Sequence, residues 1–164
     1  NSSSKIHATS KIDGETLTSD EFITTSIDKD VFLSFADANN VSNNIHSQLD
    51  SLLYNYCTSI SSAINSNNPS YIDTYVAYGS QLYNTQHAYI PKTYAAGITE
   101  TYNTSRILKY DINDDNNSGT ITSSESYTIY ANDGTTTNST SNYLYAFKYD
   151  ETNGYLLTSI NKAK

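Results

Sequence analysis

The sequence predicts an α+β domain in which helices pack over a curved antiparallel sheet. Three observations lead to this fold class. Apolar residues recur at helical spacing after Val41, four segments between residues 106 and 160 have strand character, and hairpin-turn signals separate the later segments. Helices followed by an antiparallel meander are typical of α+β domains that carry their helices on one face of a sheet.

Residues 1–40 differ from the rest of the chain, because their apolar content is thin. We expect a linker or the tail of a preceding domain here. A loose hairpin is an alternative, in which Lys5–Ile12 pairs with Glu15–Ile27 through the turn signal Asp13-Gly14. The α+β domain is then expected to occupy residues 41–164.

The first helix of this domain is predicted from Val41 to Ile64, where large apolar residues are three or four positions apart. Cys57 lies on the apolar stripe, which predicts a small buried side chain rather than a nucleophile. Asn65–Pro69 ends the helix. Asn68 then caps a new helical start, because Pro69 suits the first helical position, where its missing N–H has no partner.

Two shorter helical pieces are expected next. Tyr71–Tyr78 predicts a short helix, and Ser80 is placed to cap a third piece that begins at Gln81. Pro91 is expected to split this piece and Gly97 to end it.

Strand character begins after Glu100. In the first strand, Arg106–Ile112, the side chains of Leu108, Tyr110 and Ile112 are expected to share one face. The later strands and the turns between them are Ile121–Tyr130, Asn132-Asp133-Gly134, Tyr143–Tyr149, Asn153-Gly154 and Tyr155–Ile160. In the second strand, Ile121, Tyr127 and Ile129 share a face.

Composition limits the function classes. The net charge of −8 disfavours partners such as nucleic acid or an anionic membrane surface, both of which attract basic patches. Cys57 is the only cysteine, so no intrachain disulfide is possible. The sequence contains no methionine, and we therefore expect a fragment or a processed product. Any membrane anchor would have to lie upstream.

Several stretches give the sequence a family resemblance. They are Pro69-Ser70-Tyr71-Ile72, Gly79-Ser80-Gln81-Leu82-Tyr83, Tyr127–Gly134 and Phe147-Lys148-Tyr149-Asp150 with Tyr155–Ile160. Together with the order of elements, they resemble the nuclear transport factor 2-like cone. More narrowly, they resemble the C-terminal extracellular domain of TcaA-like zinc-ribbon membrane proteins.

This resemblance implies a cytoplasmic zinc ribbon and one transmembrane helix upstream, with the present domain displayed outside the cell. By analogy, the domain would be a non-catalytic binding or interaction domain of a membrane-anchored envelope protein. Its partner would be a cell-wall component or another envelope protein, and it would touch the membrane only through the upstream anchor. Because a fold does not establish a function, these remain expectations.

Tyrosines are the candidate binding residues of the concave sheet face. Their rings offer stacking surfaces and their hydroxyls offer hydrogen bonds. For any one of these tyrosines, ordinary core and sheet packing is the explanation that general burial preferences favour. The candidates are Tyr75, Tyr78, Tyr83, Tyr127, Tyr143 and Tyr145.

An enzyme is the first alternative. Folds of this shape host isomerases and dehydratases that use an acid or base inside the cone, and Asp73 and His87 fall in the helical region that would reach it. No catalytic triad spacing, phosphate loop or metal-binding Cys/His cluster occurs in the sequence.

A calcium-stabilised module is the second alternative. Residues 114–125 fit the spacing of an EF-hand loop, with Gly119 at the sharp turn. The oxygen ligands would be Asp114, Asn116, Ser118, Thr120 through its carbonyl, and Glu125. The flanking segments are predicted to be strands rather than helices, which favours a polar hairpin turn instead.

Overall fold

The computed structural model describes the backbone of residues 5–6, 9–12, 15–18, 22–23 and 29–163, and the side chains of residues 43–163. The chain divides into two compact units, Asn1–Val41 and Ser42–Lys164.

The described residues of the first unit form four short strands. They are β1 (Lys5–Ile6), β2 (Thr9–Ile12), β3 (Glu15–Thr18) and β4 (Phe22–Ile23). Strand β1 pairs with β4 and β2 with β3, both in antiparallel fashion. Strands β2 and β3 lie in the two segments that were predicted to pair as a loose hairpin. The predicted turn between them, Asp13-Gly14, lies outside the described residues.

Helix α1 runs over Lys29–Ser66, so it begins twelve residues before the predicted start at Val41. Residues 29–40 contain neither proline nor glycine, and nothing in their backbone chemistry stops the helix. The predicted end is confirmed. Asn67 adopts a left-handed conformation with φ of 53°, and the amides of Asn67 and Asn68 donate to the carbonyls of Ile64 and Ala63.

The segment after α1 contains less helix than predicted. Asn68 caps a 3-10 turn, Pro69–Ile72, by accepting from the Ser70 amide, as expected. The predicted helix Tyr71–Tyr78 is wrong beyond this turn. Val76 forms a parallel bridge with Leu157, because the neighbouring backbone groups bond to the sheet instead of to a helical turn.

Helix α2 runs unbroken over Gln81–Ala95, with Ser80 as its cap. The predicted break at Pro91 is wrong. Pro91 is exposed, whereas Ile90 and Thr93 on either side of it are buried, and this packing holds both halves in one helix. Gly97 ends the helix as predicted, with a φ of 71° that favours glycine.

Four strands form an antiparallel sheet in sequential order. They are β5 (Thr99–Ile112), β6 (Ser118–Tyr130), β7 (Thr136–Asp150) and β8 (Gly154–Lys162). The sheet is curved and unclosed, and the two helices of this unit pack against it. The predicted fold class is therefore confirmed. Gly134 and Gly154 adopt positive φ in the predicted turns.

Strand β5 departs from the predicted alternation. Its register with β6 shifts between Tyr102 and Thr104 and again between Ile107 and Lys109. Each bulge inserts an unpaired residue and reverses which face the following residues occupy. Leu108 is consequently exposed rather than inward, and Ile107 packs against the core together with Tyr110 and Ile112.

The core lies between α1 and the concave face of the sheet. Leu49 and Leu53 of α1 are almost fully buried, as are Ile121, Tyr145 and Leu157 of three strands. Burying each such side chain contributes roughly 1.5–3 kcal/mol as an upper estimate. Cys57 is fully buried and free, as the sequence predicts.

Candidate functional site

A cleft of about 320 Å³ opens between the helices and the concave face of the sheet. Its walls carry tyrosines from both layers, namely Tyr56 of α1, Tyr89 of α2, and Tyr127, Tyr143 and Tyr145 of the sheet. Four isoleucines add apolar surface, and two glutamates and one glutamine supply the strongest polar groups. The volume lies at the lower end of the range of small-ligand pockets, and aromatic and aliphatic side chains predominate in the lining.

Glu125 is the most buried charged group of the cleft, with 3% of its surface exposed. It is placed inward because β6 alternates its side chains, so that Ile121, Ser123 and Glu125 share one face. Its Oε1 atom accepts from the Ser123 hydroxyl at 2.7 Å, and its Oε2 atom accepts from the Tyr127 hydroxyl at 3.0 Å. Burial raises the pKa of Tyr127, and the nearby Cys57 and Glu125 raise it further. This hydroxyl therefore stays protonated and donates.

Glu100, near the start of β5, is the second carboxylate of the cleft. Its Oε1 atom accepts from the Ser61 hydroxyl at 2.9 Å. The Asn65 side chain holds the Glu100 backbone from both sides, accepting from its amide and donating to its carbonyl. Burial raises the pKa of Glu100, the Ser61 hydrogen bond lowers it, and the charge of Glu125 raises it further.

Gln86 lines the cleft from α2, one turn below Leu82 and one above Ile90 on the buried stripe. Only 9% of its surface is exposed, and its Oε1 atom has no hydrogen-bond partner among the described residues. A buried carbonyl oxygen normally finds a donor, so this one marks an unfilled position in the cleft.

The comparisons with known proteins identify the family. Residues 45–161 match the family model described as the TcaA protein NTF2-like domain. The chain belongs to this family. No curated protein matches it.

Two solved structures resemble this NTF2-like domain in fold. The intermembrane space region of the chloroplast protein ARC6 matches with a TM-score of 0.62 and 9% identity, over 71% of this chain and 95% of that chain. An NTF2-like superfamily protein from Salmonella enterica serovar Typhimurium LT2 matches with a TM-score of 0.57 and 10% identity, over 74% and 92%. Such low identities establish the fold alone.

The structure separates the six candidate tyrosines. Tyr127, Tyr143 and Tyr145 line the cleft together. Burial raises the pKa of Tyr143 and Tyr145, so both hydroxyls are protonated at neutral pH. The other three are elsewhere in the NTF2-like domain. Tyr75 lines a separate groove of about 310 Å³ beside α1.

Tyr78 and Tyr83 belong to a surface cluster at the beginning of α2. Tyr78 is 89% exposed and lies 5.0 Å from the Tyr83 ring, which in turn stacks on His87 at 4.0 Å. His87 contacts Asp73 through Nε2 and Oδ1 at 2.7 Å. The residues of the enzyme alternative are thus paired with each other, but neither of them lines the cleft.

The predicted calcium ligands are also separated. The β5–β6 turn holds Asp114 and Asn116, and β6 begins at Ser118, with Thr120 two residues later. Glu125 lies seven residues along the strand from Ser118, or roughly 23 Å at ~3.3 Å per residue. It therefore cannot close an EF-hand-type shell around the turn. Among residues 43–163, no group of three or more acidic, histidine or cysteine side chains is arranged to hold a metal.

The turn bonds to itself and to β8. The Asn113 side chain donates to the Ser118 hydroxyl at 2.8 Å, and the Asn117 amide donates to Asp115 at 2.9 Å. The Tyr155 hydroxyl donates to the Asn116 carbonyl at 2.7 Å. These contacts shape a polar hairpin turn, the alternative that the flanking strands favour.

The cleft contains polar residues that were not predicted to line it, among them Glu125, Gln86 and Glu100. Glu125 shares the strand parity of Ile121 and Tyr127, which would have placed it inside the cone rather than on a calcium loop. Gln86 is four residues from both Leu82 and Ile90, a spacing that indicates a buried helical position. Nothing in the sequence around Glu100 marks it as a cleft residue.

Proposed function

We propose that this NTF2-like domain is a non-catalytic binding domain, displayed on the extracellular face of the cell envelope by a membrane-anchored protein. The cleft takes up part of a cell-wall component or of another envelope protein. Membership of the TcaA NTF2-like family supports an interaction domain. None of the helices in the described part of the chain combines the length and apolar character needed to cross a bilayer.

The observation that carries this proposal is the composition of the cleft. Aromatic walls supply contact area at a low entropic cost, and polar groups at the floor fix the orientation of a ligand. The acid and base predicted for an enzyme, Asp73 and His87, pair at the surface instead of in this cavity. The cleft is thus equipped for recognition by side chains that pack and accept hydrogen bonds.

Two tyrosines of α2 provide a matched test. Tyr89 and Tyr94 are each 47% exposed, but only Tyr89 lines the cleft. The purified protein is sedimented with isolated peptidoglycan, and the bound fraction is measured for Tyr89→Ala, Tyr94→Ala and the parent chain.

We expect Tyr89→Ala to lose most of the retention and Tyr94→Ala to keep it, because loss of one aromatic contact in a binding pocket typically costs more than 1 kcal/mol. Equal retention of both variants would place wall binding outside the cleft. No retention of the parent chain would leave an envelope protein as the partner, to be sought with the same pair of variants.

A further inference from the structure

The cleft of the NTF2-like domain concentrates negative charge, and no cationic side chain in the described part of the domain balances it. Glu100 and Glu125 both line it and influence each other electrostatically. Within residues 43–163, the ion pairs join Lys109 to Asp111 and His87 to Asp73, and no basic side chain pairs with either glutamate. Buried carboxylates are normally paired with a cation or a metal.

Three polar side chains of the cleft offer acceptor atoms to a ligand. A carboxylate accepts and offers about four lone-pair positions. Glu125 uses two of these for the Ser123 and Tyr127 hydroxyls, and Glu100 uses one for Ser61. The Gln86 Oε1 atom is a third acceptor, and it has no donor at all among the described residues. These three side chains therefore still have acceptor positions that no described donor fills.

Tyrosine rings enclose this acceptor cluster. Tyr127 and Tyr143 line the same cleft from neighbouring strands, and Tyr89 faces it from α2. Aromatic faces attract cations, most strongly where water is excluded. A neutral sugar would use the stacking surface but would leave both negative charges unbalanced. A protonated primary amine supplies positive charge and three N–H donors at once.

We propose that the cleft binds the ammonium end of a primary amine on an aliphatic chain, such as a lysine side chain or the free amine of a wall peptide. Glu125, Glu100 and Gln86 accept its three N–H groups, and the tyrosines pack along its methylene stem. This assignment rests on the proposed function, because it names the ligand class of the same cleft.

Two isosteric probes test the charge requirement. Nα-acetyl-lysine amide carries the amine, and Nα-acetyl-norleucine amide has the same aliphatic chain without it. Each is titrated into the ¹⁵N-labelled protein at pH 7, and the amide shifts are followed by NMR. We expect the lysine probe to bind roughly tenfold or more tightly than the norleucine probe, as for a charge-assisted contact.

Variants then assign the acceptors. Glu125→Gln and Glu100→Gln keep the shape and one acceptor oxygen but remove the charge, and each is expected to weaken lysine-probe binding roughly tenfold. Glu151→Gln is the matched control, because Glu151 is exposed in the β7–β8 turn and does not line the cleft. Higher salt should weaken the binding of the lysine probe to the parent chain and to Glu151→Gln to the same extent.

Equal binding of the two probes, or no binding of the lysine probe at millimolar concentration, would overturn the ammonium assignment. So would unchanged affinity in both cleft variants. If the assignment fails while Tyr89→Ala still loses wall retention and Tyr94→Ala does not, the cleft remains the binding surface and only the ligand class is wrong. If the tyrosine pair shows no difference either, the proposed function fails with it.

Discussion

Replacing Gln86 with methionine is expected to stabilise the domain. The unpartnered Gln86 Oε1 atom is buried, and leaving a buried acceptor unsatisfied costs about 1–3 kcal/mol. Methionine has a similar length and nearly the same helix propensity as glutamine, so the substitution leaves the intrinsic stability of the helix unchanged. It also fills irregular apolar space beside aromatic rings. We therefore expect Gln86→Met to raise the free energy of unfolding by about 1–2 kcal/mol.

Gln81, on the same helix, is the matched control. Its Nε2 atom donates to Thr85 at 3.2 Å, and its Oε1 atom accepts from the Ile160 amide at 3.1 Å, so both ends are satisfied. Gln81→Met removes these bonds and is expected to destabilise the fold by about 1 kcal/mol. The two variants differ in sign although the substitution is identical.

Urea unfolding monitored by circular dichroism measures both changes through the midpoint at constant m-value. In a thermal scan, Gln86→Met should melt roughly 3–8 °C higher than the parent chain. A destabilised Gln86→Met variant, or the same sign of change in both variants, would show that the Gln86 amide is already satisfied in the folded protein. In the wall-sedimentation assay, the stabilised variant should also bind less, because the cleft loses an acceptor.

Three further outcomes follow from the structure. Gly119→Ala should destabilise the domain by about 1–3 kcal/mol in urea unfolding, since an added Cβ would meet the Asp111 carbonyl oxygen; a neutral effect would contradict this contact. Glu100→Gln should raise the melting temperature at pH 7 but not at pH 4. Burial raises the folded-state pKa of this carboxyl above its unfolded value, so the protonated form favours folding and this contribution is lost as pH rises through the folded pKa; an equal gain at both pH values would exclude that cause. Glu125→Gln should leave the response of the melting temperature to millimolar calcium unchanged, because Glu125 is distant from the β5–β6 turn; a response that depends on Glu125 would restore the EF-hand interpretation.

Local chemistry made most of the fold predictable. The cap residues Asn68 and Ser80 and the glycine that ends α2 act through backbone groups within a few residues of themselves. The same holds for the two hairpin turns of the sheet. Such signals need no knowledge of the rest of the chain, and the apolar spacing of α1 adds the direction in which that helix faces.

Long-range packing decided the elements that were predicted wrongly. The bulge at Leu108 depends on how β5 meets β6, and the bridge of Val76 depends on the position of β8. Pro91 stays within α2 because buried neighbours on both sides hold the helix together. No local pattern contains these contacts.

The residues of the cleft also divide into some that local patterns predict and others that depend on long-range packing. Tyr127, Tyr143 and Tyr145 were predictable from strand alternation, because alternate residues of neighbouring strands share a face. Glu100 enters the cleft through the Ser61 and Asn65 contacts of a helix that lies 35 or more positions away in sequence. A single sequence does not specify that pairing.

Chemical-shift mapping tests most directly whether the cleft is the binding surface. Soluble peptidoglycan fragments from a muramidase digest are titrated into the ¹⁵N-labelled protein, and the perturbed amides are assigned. We expect perturbations that cluster at Gln86, Glu100, Glu125 and Tyr143, with the β5–β6 turn unaffected. Perturbations confined to the Tyr78–His87 surface cluster or to the β5–β6 turn, with none in the cleft, would contradict this expectation.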